Sequence, residues 1–129
     1  VWDHALGAAP WPGPPVWLHG DLHPGNVLVD KGVLSAVIDF GDMCAGDPAT
    51  DLAAAWMLLP GGAVGHFLTA YGGVGDDLAA RARGWAVLFS LMLIGIGRAE
   101  RPSYAAAGQA ALRTVSETAR PARQGRHGG

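Results

Sequence analysis

Hydrophobic and polar positions alternate between short runs at the start of the chain and long periodic stretches at its end. Residues 7–15, GAAPWPGPP, hold four prolines and two glycines and read as a loop or linker. Val16-Trp17-Leu18 is a short apolar run, followed by a polar loop from His19 to Gly25. Two β-branched runs come next, Asn26–Val29 and Val33–Ile38, joined by Asp30-Lys31-Gly32. An Asp and a Gly between such runs predict a β-hairpin. A second polar loop runs from Asp39 to Gly46. Beyond it the period becomes helical. Asp47-Pro48 has the form of an N-cap followed by proline at the first helical position, and predicts a helix over 50–59 closed by Pro60-Gly61-Gly62. A second helix is expected over 64–71, ended by Gly72-Gly73. A third starts at the acids Asp76-Asp77 and reaches about Arg98, and an amphipathic fourth spans Ser103 to about Ala119. Trp56, Trp85, Phe89 and Met92 fall at helical spacing and are expected in the core. The polar tail 120–129 is expected to be disordered. The order is a small sheet with two functional-looking loops and then an all-helical remainder, which is α+β.

Composition narrows the function classes. The chain has 129 residues, 50% of them hydrophobic and 16% charged, so it carries enough apolar surface for one folded domain and not the composition of a disordered chain. A net charge of -2 and a pI near 6.2 supply no basic footprint for nucleic acid. One cysteine, Cys44, excludes a disulfide framework and a four-thiolate zinc site. The most apolar stretch, Trp85 to Gly97, is shorter than the roughly 20 residues a membrane-spanning helix needs and reads as a core helix. No signal-peptide pattern is visible at the N-terminus, so a cytoplasmic location is expected. Among the nine basic residues only Lys31 is a lysine.

The acids are distributed unevenly. Six of the eleven lie between Asp21 and Asp51, with Lys31 as the one base among them, and such a cluster is repulsive unless a cation sits nearby. In a hairpin the ends of the two strands lie side by side, which would bring Asn26 close to Asp39. Oxygen donors of this kind suit Mg2+. Asp21 is then free to act as a base or to orient a hydroxyl. Asp30, Asp42 and Asp47 read instead as solvated turn or cap residues. The spacing of Asp21 to Asn26, D-x-x-x-x-N, followed by Asp39-Phe40-Gly41, is an arrangement used for phosphoryl transfer.

The segment HGDLHPGNVLV…AVIDFGDMCAGDPATDLA resembles the C-terminal lobe of the aminoglycoside phosphotransferase and choline-kinase-like family. The resemblance covers about residues 16–119 as a kinase-like C-lobe, with 1–15 as a linker or remnant. It implies that Asp21 is the catalytic Asp, that Asn26 and Asp39 bind Mg2+, and that His19 braces the loop. It also implies that Asp51 hydrogen-bonds the catalytic-loop backbone from below and that the last helices help form the pocket for a small-molecule hydroxyl acceptor. ATP or another nucleoside triphosphate is the implied phosphoryl donor, and an aminoglycoside-type antibiotic is one acceptor the family allows. His23, two residues after the base, is a candidate contact to acceptor or phosphate.

Three departures shape the expectation. Gly20 stands where protein kinases carry an arginine before the catalytic Asp. Only eight positions separate Asp39 from Asp47, too few for a long activation segment. Both point to a small-molecule kinase. Finally, only 18 residues precede His19, too few for a nucleotide-binding lobe with its strand lysine. The chain is therefore expected to lack that N-terminal lobe and to phosphorylate poorly on its own. Two other readings stay open: a metal-dependent hydrolase using His19, Asp21 and His23, and a truncated, non-catalytic fragment that keeps the lobe as scaffold.

Overall fold

A computed structural model describes residues 1–119; the tail 120–129, expected to be disordered, and His127 within it lie outside the described residues. The polypeptide forms α1 (Trp2–Gly7), β1 (Val16–Leu18), β2 (Val27–Asp30), β3 (Val33–Val37), β4 (Cys44–Gly46), α2 (Ala49–Leu52), α3 (Ala54–Leu58), α4 (Gly61–Tyr71), α5 (Asp76–Ala99) and α6 (Pro102–Ala119). Mixed helices and small sheets make the fold α+β, as the pattern predicts.

The hairpin β2–β3 forms where expected. Lys31 and Gly32 both take positive φ in a two-residue turn, a geometry whose twist matches the flanking strands. Val27 pairs with Val37 and Leu28 with Ala36, but Val29 pairs with Leu34, so Ser35 is an extra residue in a bulge. The bulge is closed by the Ser35 hydroxyl donating to the Leu28 carbonyl at 3.1 Å.

Four expectations are corrected. The second polar loop is not irregular throughout: Cys44–Gly46 is β4, antiparallel to β1 with Leu18 opposite Cys44. Single-sequence patterning misses it because three residues of Cys, Ala and Gly carry no periodicity. The helix expected over 50–59 is broken at Ala53 into α2 and α3. Gly61 and Gly62 do not terminate a helix but open α4, because Pro60 is extended at φ -65°, ψ 151° and starts the next element instead of extending the last. Within the segment 1–15 read as linker, Trp2–Gly7 is helical and packs on α5, where Ala5 fits the space left by Gly84.

The core is built around α5, which touches α1, α2, α3 and α6. Trp56 is its largest buried side chain, 1% exposed, with Leu52, Val64, Leu78, Leu93 and Val115 around it. The Trp56 indole N–H donates to Thr118 Oγ1 at 2.9 Å, so the buried ring keeps its polar atom satisfied. At the α5–α6 crossing a Cβ on Gly108 would come within 2.5 Å of the Ser90 carbonyl oxygen, and one on Gly97 would overlap Ala105. Those glycines set the close approach of the two longest helices. By length and hydropathy α5 is the one helix among the described residues that could cross a membrane, yet it is the element on which most of the others pack.

Met92 departs from the expected core. Trp85 and Phe89 are half-buried and stacked at 5.4 Å, but Met92 is 53% exposed. It lies on the side of α5 that opens onto a cleft.

Candidate active site

β1 delivers the chain into the loop His19–Asn26, and β3 delivers it into Asp39-Phe40-Gly41. Pairing of β1 with β4 ties the entrance of the first loop to the exit of the second. The Ile38 N–H donates to the Asn26 carbonyl at 2.9 Å, which extends the hairpin ladder by one rung and sets Asp39 beside the end of the first loop.

His19 locks the two loops together. Its Nε2–H donates to the Ile38 carbonyl at 2.7 Å and its Nδ1 accepts the Asp21 N–H at 3.1 Å. The ring also meets Phe40 edge-on, with centroids 4.6 Å apart. Beneath the loop, one carboxylate takes two backbone donors: Asp51 Oδ2 accepts from His19 N at 2.7 Å and Oδ1 from Gly20 N at 3.0 Å. Such charge-assisted bonds to backbone N–H groups are short and strong. Gly20 is required by the same turn. Its φ is +89°, and a Cβ there would lie 2.6 Å from the Asp42 carbonyl oxygen. The absence of an arginine at this position therefore has a steric cause.

Asp21, His23, Asn26 and Asp39 line one cleft of about 260 Å³ with residues of α3, α5 and α6. Asn26 is buried, and its amide nitrogen spends both hydrogens on Asp21, one on the backbone carbonyl at 2.9 Å and one on Oδ2 at 3.0 Å. His23 Nδ1 accepts the Gly25 N–H at 3.0 Å, and its Nε2 lies 3.3 Å from the Asn26 amide nitrogen and 3.6 Å from Asp21 Oδ1. Asp39 takes a left-handed backbone, φ +59°, which Asp tolerates better than most residues; such outliers gather at functional sites. Asn26 thus orients the Asp21 carboxylate, with the His23 ring alongside it.

The oxygens left over suit a hard cation. Among the described residues neither the Asn26 carbonyl oxygen nor the Asp39 carboxylate has a hydrogen-bond partner, while the Asn26 nitrogen is committed to Asp21. This donor set of amide and carboxylate oxygens at the cleft fits Mg2+. It does not fit zinc. No group of three His, Cys, Asp or Glu converges among the described residues, and both His19 nitrogens are taken by backbone partners. Nothing in the site favours the metal hydrolase.

A family model for the phosphotransferase enzyme family matches residues 1–86, two thirds of the chain. The chain belongs to that family. The matched region takes in Asp21, Asn26, Asp39 and Asp51 and ends inside α5. Membership makes the protein a kinase-type phosphotransferase at the level of its class. No curated protein and no solved structure gives a significant match to it.

The sequence reading misses one side chain of this site and one that braces the fold away from the cleft. Tyr104 meets the His23 ring edge-on at 5.3 Å, and its hydroxyl would lie 2.7 Å from a Cβ on Gly25. No local pattern marks it, because it reaches the loop only when α6 folds back along α5. Arg81 is the other. It grips Asp47 through Nε at 2.7 Å and also donates to the Ala9 carbonyl. Asp47, read as a cap, does accept the Ala49 N–H at 2.9 Å, but it is a partner of Arg81 as well.

Proposed function

We propose that the protein transfers the terminal phosphoryl group of ATP to a hydroxyl of a small molecule, with Asp21 as the base. The observation that carries this is the orientation of Asp21: Asn26 holds its carboxylate at the cleft, with His23 alongside and two unspent oxygen donors beside it. In the reaction the acceptor oxygen bonds to the terminal phosphorus and the bond from that phosphorus to the ADP oxygen breaks. The hydroxyl proton passes to Asp21. Asn26 and Asp39 would hold Mg2+, which when bound neutralises charge on the transferring phosphoryl group. Asp51 and His19 keep the loop in place, and His23 lies alongside Asp21 and can reach acceptor or phosphate. The turn closed by the Met43 N–H on the Phe40 carbonyl, followed directly by β4, leaves the short segment after Asp39 no room to act as a phosphorylation-driven switch.

The nucleotide clamp in this reading comes from protein outside these residues. Lys31, the one lysine, sits at the hairpin turn and does not line the cleft. The hairpin's Val29, Val33 and Leu34 are each at least 60% exposed, an apolar surface that further protein would cover.

The test is ATP- and Mg2+-dependent phosphorylation of small alcohols by the protein joined to its nucleotide-binding portion. Asp21→Asn should lower kcat by about 10²–10⁴-fold with a modest change in KM. A near-normal kcat would refute the role of Asp21.

A further inference from the structure

The two walls of the cleft differ in chemistry. One carries Asp21, Asn26 and Asp39. The other is apolar: Phe89, Met92, Leu93 and Ile96 follow one another at i, i+3, i+4 and i+7 along α5, and Tyr104 joins them from the first turn of α6. Leu93 continues into the core, whereas Met92 and Ile96 remain about half exposed and border the cleft. An apolar stripe facing a concave site beside a few convergent polar groups is the usual make-up of a small-molecule pocket.

The charges of the site point the same way. All eleven Asp and Glu lie within the described residues, and Asp21 and Asp39 are the only two that line the cleft. Under the proposed reaction one of them takes the acceptor hydroxyl and the other a metal, so no carboxylate remains to meet an ammonium group. The charge seated directly on the Tyr104 wall is positive. The Arg101 guanidinium lies over the Tyr104 ring at 5.3 Å and donates to the Tyr104 hydroxyl at 3.1 Å. A polycation entering here would lose hydration without gaining a counter-charge, and it would approach a like charge. The apolar wall from Phe89 onward and Tyr104 also fall beyond residue 86, outside the region shared with the family. The residues that would select the acceptor belong to the part of the chain that the family match leaves out.

We infer that the acceptor is an alcohol carried on an apolar, uncharged body, not a polyamine sugar. Its ring system packs against Phe89, Met92, Ile96 and Tyr104 while its hydroxyl reaches Asp21. The volume, a little below the usual range of ligand sites, suits a body no larger than a bicyclic ring system. The destination of the hydroxyl rests on the phosphoryl-transfer reading; the apolar wall does not.

The experiment titrates the 129-residue protein with 2-(2-naphthyl)ethanol and, separately, with kanamycin A, following heat and the NMR shifts of side chains in the cleft. The naphthyl alcohol should bind with shifts at Met92, Ile96 and Tyr104, and kanamycin should leave those signals unmoved. Ile96→Glu and Met92→Glu, both at half-exposed positions of α5, should keep the circular dichroism of the parent and weaken naphthyl binding by about tenfold or more. Three outcomes overturn the proposal: no naphthyl binding at millimolar concentration, kanamycin binding at this wall, or naphthyl affinity unchanged in both variants. Asp21→Asn separates the two readings. It should retain naphthyl binding, and near-normal phosphoryl transfer in that variant alongside intact probe binding rejects the role of Asp21 and spares the apolar site.

Discussion

At the scale of single residues, the site rests on short side chains that satisfy backbone groups in a tight loop. Asp51 is the clearest case. Its two oxygens take the N–H groups of His19 and Gly20, and an alanine there leaves both partly buried donors without a partner. Asp51→Ala should lower stability by about 2–3 kcal/mol, read as a fall in the urea midpoint, and Asp51→Asn should recover part of it because one acceptor oxygen remains. Gly20 tests the backbone directly. Gly20→Ala meets both the left-handed penalty and the Asp42 carbonyl, so a loss of about 2 kcal/mol or more is expected in the same measurement. Asp21, Asn26 and Asp39 stand out in the sequence by their spacing, and Asp51 only through the family resemblance; the structure places the first three at one cleft and Asp51 beneath the loop. The partners of His23 were not legible in the sequence. Tyr104 lies far along the chain, and only packing of α6 brings it to the loop.

At the scale of elements, hydrophobic periodicity found the hairpin and the long helices and failed where elements are short. Three-residue strands and single helical turns contain little more than one repeat of their own pattern, so β4 and the break at Ala53 left no trace. The α5–α6 pair shows the opposite limit. Both helices are obvious from sequence, but their separation is set by Gly97 and Gly108 at the crossing. Gly108→Val should force the helices apart and cost roughly 1–3 kcal/mol, seen as a lower Tm with helical circular dichroism retained at low temperature. Unchanged Tm would mean that the crossing is looser than the Ser90 contact implies. The stripe on α5 carries a further lesson: the same period that reads as core continues into the cleft, and Met92 and Leu93 differ in exposure although they are adjacent.

At the scale of the whole molecule, one side chain ties the N-terminal segment, the turn before α2 and the start of α5 together. Arg81 pairs with Asp47 and bonds the Ala9 carbonyl, while the Ala9 N–H donates to Asp77 at 3.2 Å. Because Arg81 and Asp47 are both well covered, Arg81→Ala leaves a carboxylate without its partner; a loss of about 2 kcal/mol in thermal unfolding is expected, with α1 becoming more open to proteolysis. The sequence by itself determined the α+β order, the hairpin and the spacing of the loop residues assigned here to phosphoryl transfer. These features are local: turn chemistry, period and short spacing act within a few residues of one another. Only the tertiary structure decided which surfaces face the site. It joined β1 to β4, brought Tyr104, with Arg101 against it, to the cleft, and turned the α5 stripe from core to cleft wall. The physical reason is that an apolar side chain is stabilised by any surface that removes it from water, so its pattern specifies that it will be covered but not by what.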